Sequence, residues 1–248
     1  MKKMLKYQIT DLSKSYIVYF CVISALTIAG INFSMSVSSS DINVNFNGTG
    51  FSNVILTFVI GVCMYKEHYL MALQNGISRK TFYKSTLCVI TLFSFICSIF
   101  DTILVIAAKI LSEKLFSSFQ IINLIELIYS DFFNGKGRLT ILSVNLIFTF
   151  TITVMSAALG ILIAAVFCRI PKKYRTIYVI FLPIFFCSIL PMSFVWFPGF
   201  YTRAGKIFLA LLGLGDGVIN PLTGCISTAA GFIILSACSY LFLRKTEI

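Results

Sequence analysis

Long apolar runs separated by short polar intervals organise this chain, and their lengths predict helices rather than strands. Residues 17–35, 86–111, 139–166, 177–197 and 222–243 each approach or exceed the about 20 apolar residues that a helix needs to cross a bilayer. Residues 51–64 form a further run that is short for a crossing. Ahead of the first run, Leu5, Ile9, Leu12 and Tyr16 share one helical face while Lys6, Thr10 and Lys14 share another. That pattern predicts a basic amphipathic helix over residues 1–16, lying in the membrane interface like an elbow. Between the second and third runs, Tyr65, Tyr69 and Leu73 recur at helical spacing with Lys66, Glu67 and His68 turned elsewhere, which predicts a short helix over residues 66–74. Asn75 and Gly76 tolerate a left-handed backbone and so predict its stop. Ser78 is placed to cap the next helix, with Ile77 and Phe82 as a hydrophobic staple across the cap.

These elements add up to an all-α membrane protein. Six transmembrane helices are expected over residues 17–248, interrupted by a polar segment over 65–85 and by two segments over 112–138 and 198–221. The apolar stretch 207–214 in the last of these is too short to cross and reads as a re-entrant dip. Composition agrees: 58% of the 248 residues are hydrophobic and only 12% are charged, about half the charge of a soluble chain. The first run is too long for a cleavable signal. The formal charge of +11 is set out by side. Segments assigned to the inner face gather most of the 20 Lys+Arg, leaving outside only Lys109, Lys114, Lys136, Arg138, Arg203 and Lys206. The positive-inside bias therefore places both termini in the cytoplasm, and it accounts for the charge without nucleic acid. The eight cysteines fall in or beside apolar segments with no metal spacing, so they read as small packing residues.

Chemistry has few footholds. Asp101, inside the third run, is the sharpest intramembrane signal, since a carboxylate there must be paired, hydrated or protonated. It reads either as lining a substrate path or as the partner of a basic group such as Lys109 or Arg203. Asn145, Thr149, Thr153, Ser156 and Gly160 follow at helical steps in the fourth run, as a polar path wall or as close packing glued by hydroxyls. The lone His68 faces the cytoplasm in this reading. Glu126 and Asp131 read as a solvated face. No G-x-S-x-G, H-E-x-x-H or phosphate-binding G-x-x-x-x-G-K-[ST] occurs, so catalytic residues are not expected and neither is ATP hydrolysis by this chain.

As an arrangement of elements, with an elbow helix, six spans, a helical loop between the second and third and a re-entrant segment before the last, the chain resembles permease subunits of the ABC type-2 exporter family. Within it NGISRKTFYKS, residues 75–85, resembles the Asn-Gly-x-Ser-Arg-Lys stretch of small Gram-positive permeases, which are similar to exporters of amphipathic peptides and to lantibiotic immunity permeases. The chain departs from that layout in its short second run and lacks a strong Glu-x-x-x-Gly signature. The resemblance implies a multi-pass protein of a bacterial plasma membrane, paired with a second permease chain. It implies a cytosolic ABC ATPase that holds ATP and Mg, with no cofactor bound by this chain. Lys66, Glu67, His68, Asn75, Gly76, Arg79 and Lys80 would then form the coupling surface, with Lys172 and Lys173 as a smaller second contact. Asp101, Asn145, Thr149 and Thr153 become candidates for the substrate path. The rival readings are a substrate-binding membrane subunit of a vitamin importer, an intramembrane enzyme using Asp101, and a non-transport immunity or scaffold protein.

Overall fold

Apolar runs that lack interior breakers become long helices, and a computed structural model of the chain is built almost wholly from them. It describes residues 2–37, 44–46, 49–115, 119–121, 124–133, 135, 137–170, 198–215 and 219–244. The helices are α1 (Lys2–Val37), α2 (Thr49–Gln74), α3 (Arg79–Leu115), α4 (Leu124–Ile128), α5 (Ser130–Phe133), α6 (Arg138–Arg169), α7 (Pro198–Leu211) and α8 (Pro221–Arg244). Among the described residues five helices, α1, α2, α3, α6 and α8, are long and apolar enough to cross a membrane. The expected span over 177–197 lies outside the described residues, as do Lys172 and Lys173.

Two boundaries differ from the sequence reading. The elbow and the first run form one unbroken helix of 36 residues, because no glycine or proline separates them. Its first turns do not lie apart from the bundle: Met4, Gln8, Leu12 and Tyr16 are buried, and the helix packs on α3. The second run is likewise not short. α2 continues past Met64 through the polar stretch to Gln74, because Tyr65, Tyr69 and Ala72 keep an apolar face turned inward for two more turns. The 65–85 segment is thus no loop. It is the end of α2, a tight corner, and the start of α3.

Backbone proximity sets the centre of the bundle. α2 and α6 cross so closely that a Cβ built on Gly61 would lie 2.3 Å from the Ala157 carbonyl oxygen. One on Gly160 would lie 2.3 Å from that of Phe58. Ser156 Oγ donates to Val54 O at 2.8 Å across the same contact. Close packing, one of the two readings of the α6 stripe, is what this crossing uses. α8 covers another side of α6, with Thr228 Oγ1 bonded to Thr151 Oγ1 at 3.0 Å. Cys21, Ala25 and Ala29, small residues of α1 at helical spacing, face outward.

At the end opposite Gly76, two three-residue strands, β1 (Val44–Phe46) and β2 (Phe119–Ile121), pair in parallel and clasp the chain before α2 to the chain after α3. α4 and α5 pack beneath them against α6, burying Ile125, Tyr129, Phe133 and Phe148. The 198–221 segment holds the 14-residue helix α7, which ends over Gly213 at φ +75° and turns back into α8. Asn220 caps α8 by accepting from Leu222 N–H at 3.0 Å, with Pro221 in the first helical position.

Candidate functional site

Two features stand out, a corner at one end of the bundle and a polar seam inside it. The corner is closed entirely by local chemistry. Ile77 N–H bonds Ala72 O at 2.9 Å and Gly76 N–H bonds Leu73 O at 3.0 Å, the paired bonds of a Schellman stop. Gly76 has φ +69°, the left-handed value that the motif demands. Asn75 Nδ2 donates to Met71 O at 2.8 Å, a second bond to the carbonyl that already accepts from Asn75 N–H at 3.1 Å. Two residues later Ser78 Oγ accepts from Thr81 N–H at 3.3 Å, which caps α3. The stop and the cap are where the sequence predicts them. Ile77 and Phe82 belong to one apolar cluster, as the staple requires.

Aromatic packing and polar ties stiffen this corner from behind. The rings of Tyr65, Tyr69 and Phe82 meet at 5.2 Å (Tyr65 to Tyr69) and 5.4 Å (Tyr69 to Phe82) between centroids. Gln8 of α1 donates to Thr86 Oγ1 at 3.0 Å and accepts from Ser85 Oγ at 2.8 Å. Tyr83 Oη bonds Ser236 O at 2.5 Å and Ser239 Oγ at 2.7 Å, fastening α3 to α8. Arg79 Nη1 adds a bond to Arg244 O at 3.2 Å. The corner is therefore tied to α1 and α8 as well as to α2 and α3.

The expected coupling residues divide. Asn75, Gly76 and Lys80 are exposed at the tip, and Arg79 is partly so. His68 is not: it is 3% exposed, and its Nε2 lies 3.1 Å from Asp11 Oδ2 of α1. The helix does not stop before it, so continuation of α2 carries the ring inward under α1. The backbones of Lys66 and Glu67 lie within α2, and their side chains are outside the described residues. Beside the tip, Lys2, Lys3, Tyr7 and Asn75 rim a groove of about 830 Å3 floored by Met4, Met71, Ala72 and Ile77.

The seam runs through the interface of α2, α3 and α6. Asp101 is 1% exposed, and Asn53 Nδ2 donates to its Oδ1 at 3.3 Å. Tyr19 Oη donates to Asn53 Oδ1 at 2.9 Å and shares a 2.5 Å bond with Ser52 Oγ, so α1, α2 and α3 are joined in one chain of hydrogen bonds. Thr49 also reaches the carboxylate, and Asn145 stands beside it. Asn145 and Thr149 are fully buried, yet among the described residues the Asn145 amide and the Thr149 hydroxyl complete no hydrogen bond of good geometry. Thr153 returns its hydroxyl to Thr149 O at 2.7 Å. The structure thus brings Asp101, Asn145, Thr149 and Thr153 together, and it buries them inside one chain's helix packing.

Lys109 is not the partner of Asp101. Its Nζ holds both oxygens of Glu126 at 3.0 Å, and among the described residues Asp101 makes no ion pair. Glu126 is accordingly not a freely solvated face; its side chain is 19% exposed. Comparison of the chain with family models, with curated proteins and with solved structures returns no match. The partners Tyr19, Ser52 and Asn53 were missed from sequence. One signal was available, because Asn53 is a lone amide in an apolar stretch with Thr57 one turn on, at the depth that an antiparallel α2 presents to Asp101.

Proposed function

We propose that this chain is the membrane-spanning permease subunit of an ATP-driven ABC exporter, moving amphipathic or hydrophobic molecules, peptides foremost, out of a bacterial cell. The observation that carries the proposal is the rigid, exposed corner at Asn75–Gly76–Lys80, tied by side chains to α1 and α8. A corner without slack is what a cytosolic engine needs if its push is to move helices rather than deform a loop. In this reading Gly76 and both termini lie in the cytoplasm, and residues 177–197 supply the sixth span. ATP and Mg stay with the ATPase subunit, and a second copy or a paralogue completes the path.

The buried polar seam fits a structural tie that holds α1, α2 and α3 in register while the bundle rocks. In this reading the substrate path lies between the two permease chains, along outward-facing surfaces, and Asp101, Asn145, Thr149 and Thr153 act from behind it.

The test is co-elution of ATP hydrolysis with the tagged chain from native membranes. Lys80→Glu reverses an exposed charge at the tip without touching a packed residue, and it should reduce the co-eluting activity at least tenfold. Gly76→Pro, which removes both the left-handed turn and its N–H bond, should abolish it. Undiminished ATPase association in both variants overturns the proposal. Tight vitamin binding by the purified chain would favour the importer reading instead.

A further inference from the structure

The buried seam gathers oxygen atoms from three helices. α2 supplies Thr49 and Asn53, α3 supplies Asp101, and α6 supplies Asn145 and Thr149. Asp101 is 1% exposed, and Asn145 and Thr149 are closed off completely. Thr149 follows Asn145 by one turn on the same helical face. The buried threonines Thr27, Thr57, Thr102, Thr153 and Thr228 each return their hydroxyl to the carbonyl four residues back. Thr149 does not. Among the described residues neither its hydroxyl oxygen nor the Asn145 amide oxygen has a hydrogen-bond partner. Buried oxygens of this kind are destabilising unless a bound group satisfies them.

Charge points the same way. A carboxylate at this depth needs a balancing positive charge or a proton. Asn53, at 3.3 Å, and Thr49 offer it only neutral dipoles. Among the described residues Asp101 makes no ion pair. Along α2, α3 and α6 the lysine or arginine nearest to Asn53, Asp101 or Asn145 is Arg138, about 10 Å of helix from Asn145. Residues 177–197 contain no charged side chain, so they bring none wherever they pack. Carboxylate, amide and hydroxyl oxygens are hard donors, which suit hard cations. One carboxylate balances one positive charge, whereas a divalent ion would leave a charge uncompensated in the apolar interior. Thr49, half-buried at the start of α2 and one turn ahead of Asn53, is the member of the set closest to solvent.

We propose that the seam is a binding site for a monovalent alkali cation, held by the Asp101 carboxylate, the Asn145 amide oxygen and the Thr149 hydroxyl and entered past Thr49. The ion ties α3 to α6, as Asn53 ties α3 to α2. Binding requires no ATPase, so the site stands or falls separately from the exporter reading.

The experiment uses the full chain in detergent micelles, with thermal unfolding followed by circular dichroism in sodium chloride or choline chloride at equal concentration. Saturating sodium should raise the midpoint by about 5 °C over choline. Asp101→Asn removes the charge, and Thr149→Val removes one oxygen at nearly constant volume. Each should abolish the difference between the salts. Thr228→Val, the same change on α8, should keep it. A second measurement needs no variant: scintillation proximity counting of radioactive sodium on the parent chain should find a bound fraction that unlabelled sodium displaces and choline does not. Equal midpoints in the two salts, the outcome for a carboxylate kept neutral by a proton, overturn the proposal. So does an absence of displaceable sodium, and so does a salt difference that survives Asp101→Asn or Thr149→Val or that is lost in Thr228→Val as well.

Discussion

The α2–α6 crossing offers the sharpest numerical test of this structure. Replacing Gly160 by alanine puts a carbon 2.3 Å from the carbonyl oxygen of Phe58, and replacing Gly61 does the same against Ala157. Both obstacles are backbone, so neither yields as the tip of a side chain would. The helices must part by about 1 Å to restore ordinary contact. That displacement also stretches the 2.8 Å bond from Ser156 Oγ to Val54 O. Overpacking of this kind costs about 1–3 kcal/mol, and an interhelical hydrogen bond in a membrane protein is worth about 0.6 kcal/mol. Each single substitution should therefore destabilise the chain by about 2–3 kcal/mol. Once one methyl has parted the helices, the second enters a gap already made. The double variant should cost little more than either single one, a coupling of about 2 kcal/mol. Gly205→Ala, where nothing lies within 4 Å of the added carbon, is the control and should be neutral or slightly stabilising. The assay is unfolding of the purified chain in mixed micelles titrated with sodium dodecyl sulfate. Single variants within about 0.5 kcal/mol of the parent, or costs that simply add, would refute the crossing.

Further outcomes follow from the seam, the corner and the covering helices. Asp101→Leu strands the Asn53 amide and should cost about 1–3 kcal/mol, and a double-mutant cycle with Asn53→Ala should return a coupling near 0.6–1.7 kcal/mol; zero coupling would mean that the 3.3 Å contact carries nothing. Gly76→Ala meets no neighbour within 4 Å, so its cost should be backbone strain alone, about 1 kcal/mol, with Gly76→Asn milder. Equal stability of all three chains in the same titration would argue against a left-handed turn there. Tyr129 donates to Leu212 O at 2.5 Å, and burial pushes its phenol up from 10.0 to about 12. Below pH 10 folded and unfolded chains both keep that proton, and between 10 and about 12 only the folded chain does. The stability that the phenol contributes is thus complete below 10 and is lost as pH rises towards 12. Tyr129→Phe should be less stable than the parent at pH 8 and should decline less steeply in alkali; parallel curves would contradict the assignment.

What the sequence determined by itself was everything that one or two helical turns can decide. Apolar run length sets which segments become long helices, and Asn75, Gly76 and Ser78 specify a stop and a start because left-handed backbone and capping bonds are made within five residues. The inward face of Tyr65 and Tyr69 was legible for the same reason, although the third inward position is Ala72 and the expected Leu73 is only partly buried. Its consequence, that α2 runs unbroken to Gln74, was not, because polar side chains between those positions look like an interruption until their helix is seen to continue. Only the tertiary structure decided partners. Asp101 meets Asn53, 48 positions earlier, rather than Lys109, which lies two turns away on its own helix and turns instead to Glu126. His68 meets Asp11 across 57 positions, and Gln8 meets Thr86 across 78. Periodicity states that such a side chain occupies a given face. Which helix abuts that face, and at what height, depends on where small residues such as Gly61 and Gly160 let two backbones touch, and no spacing along the chain encodes that.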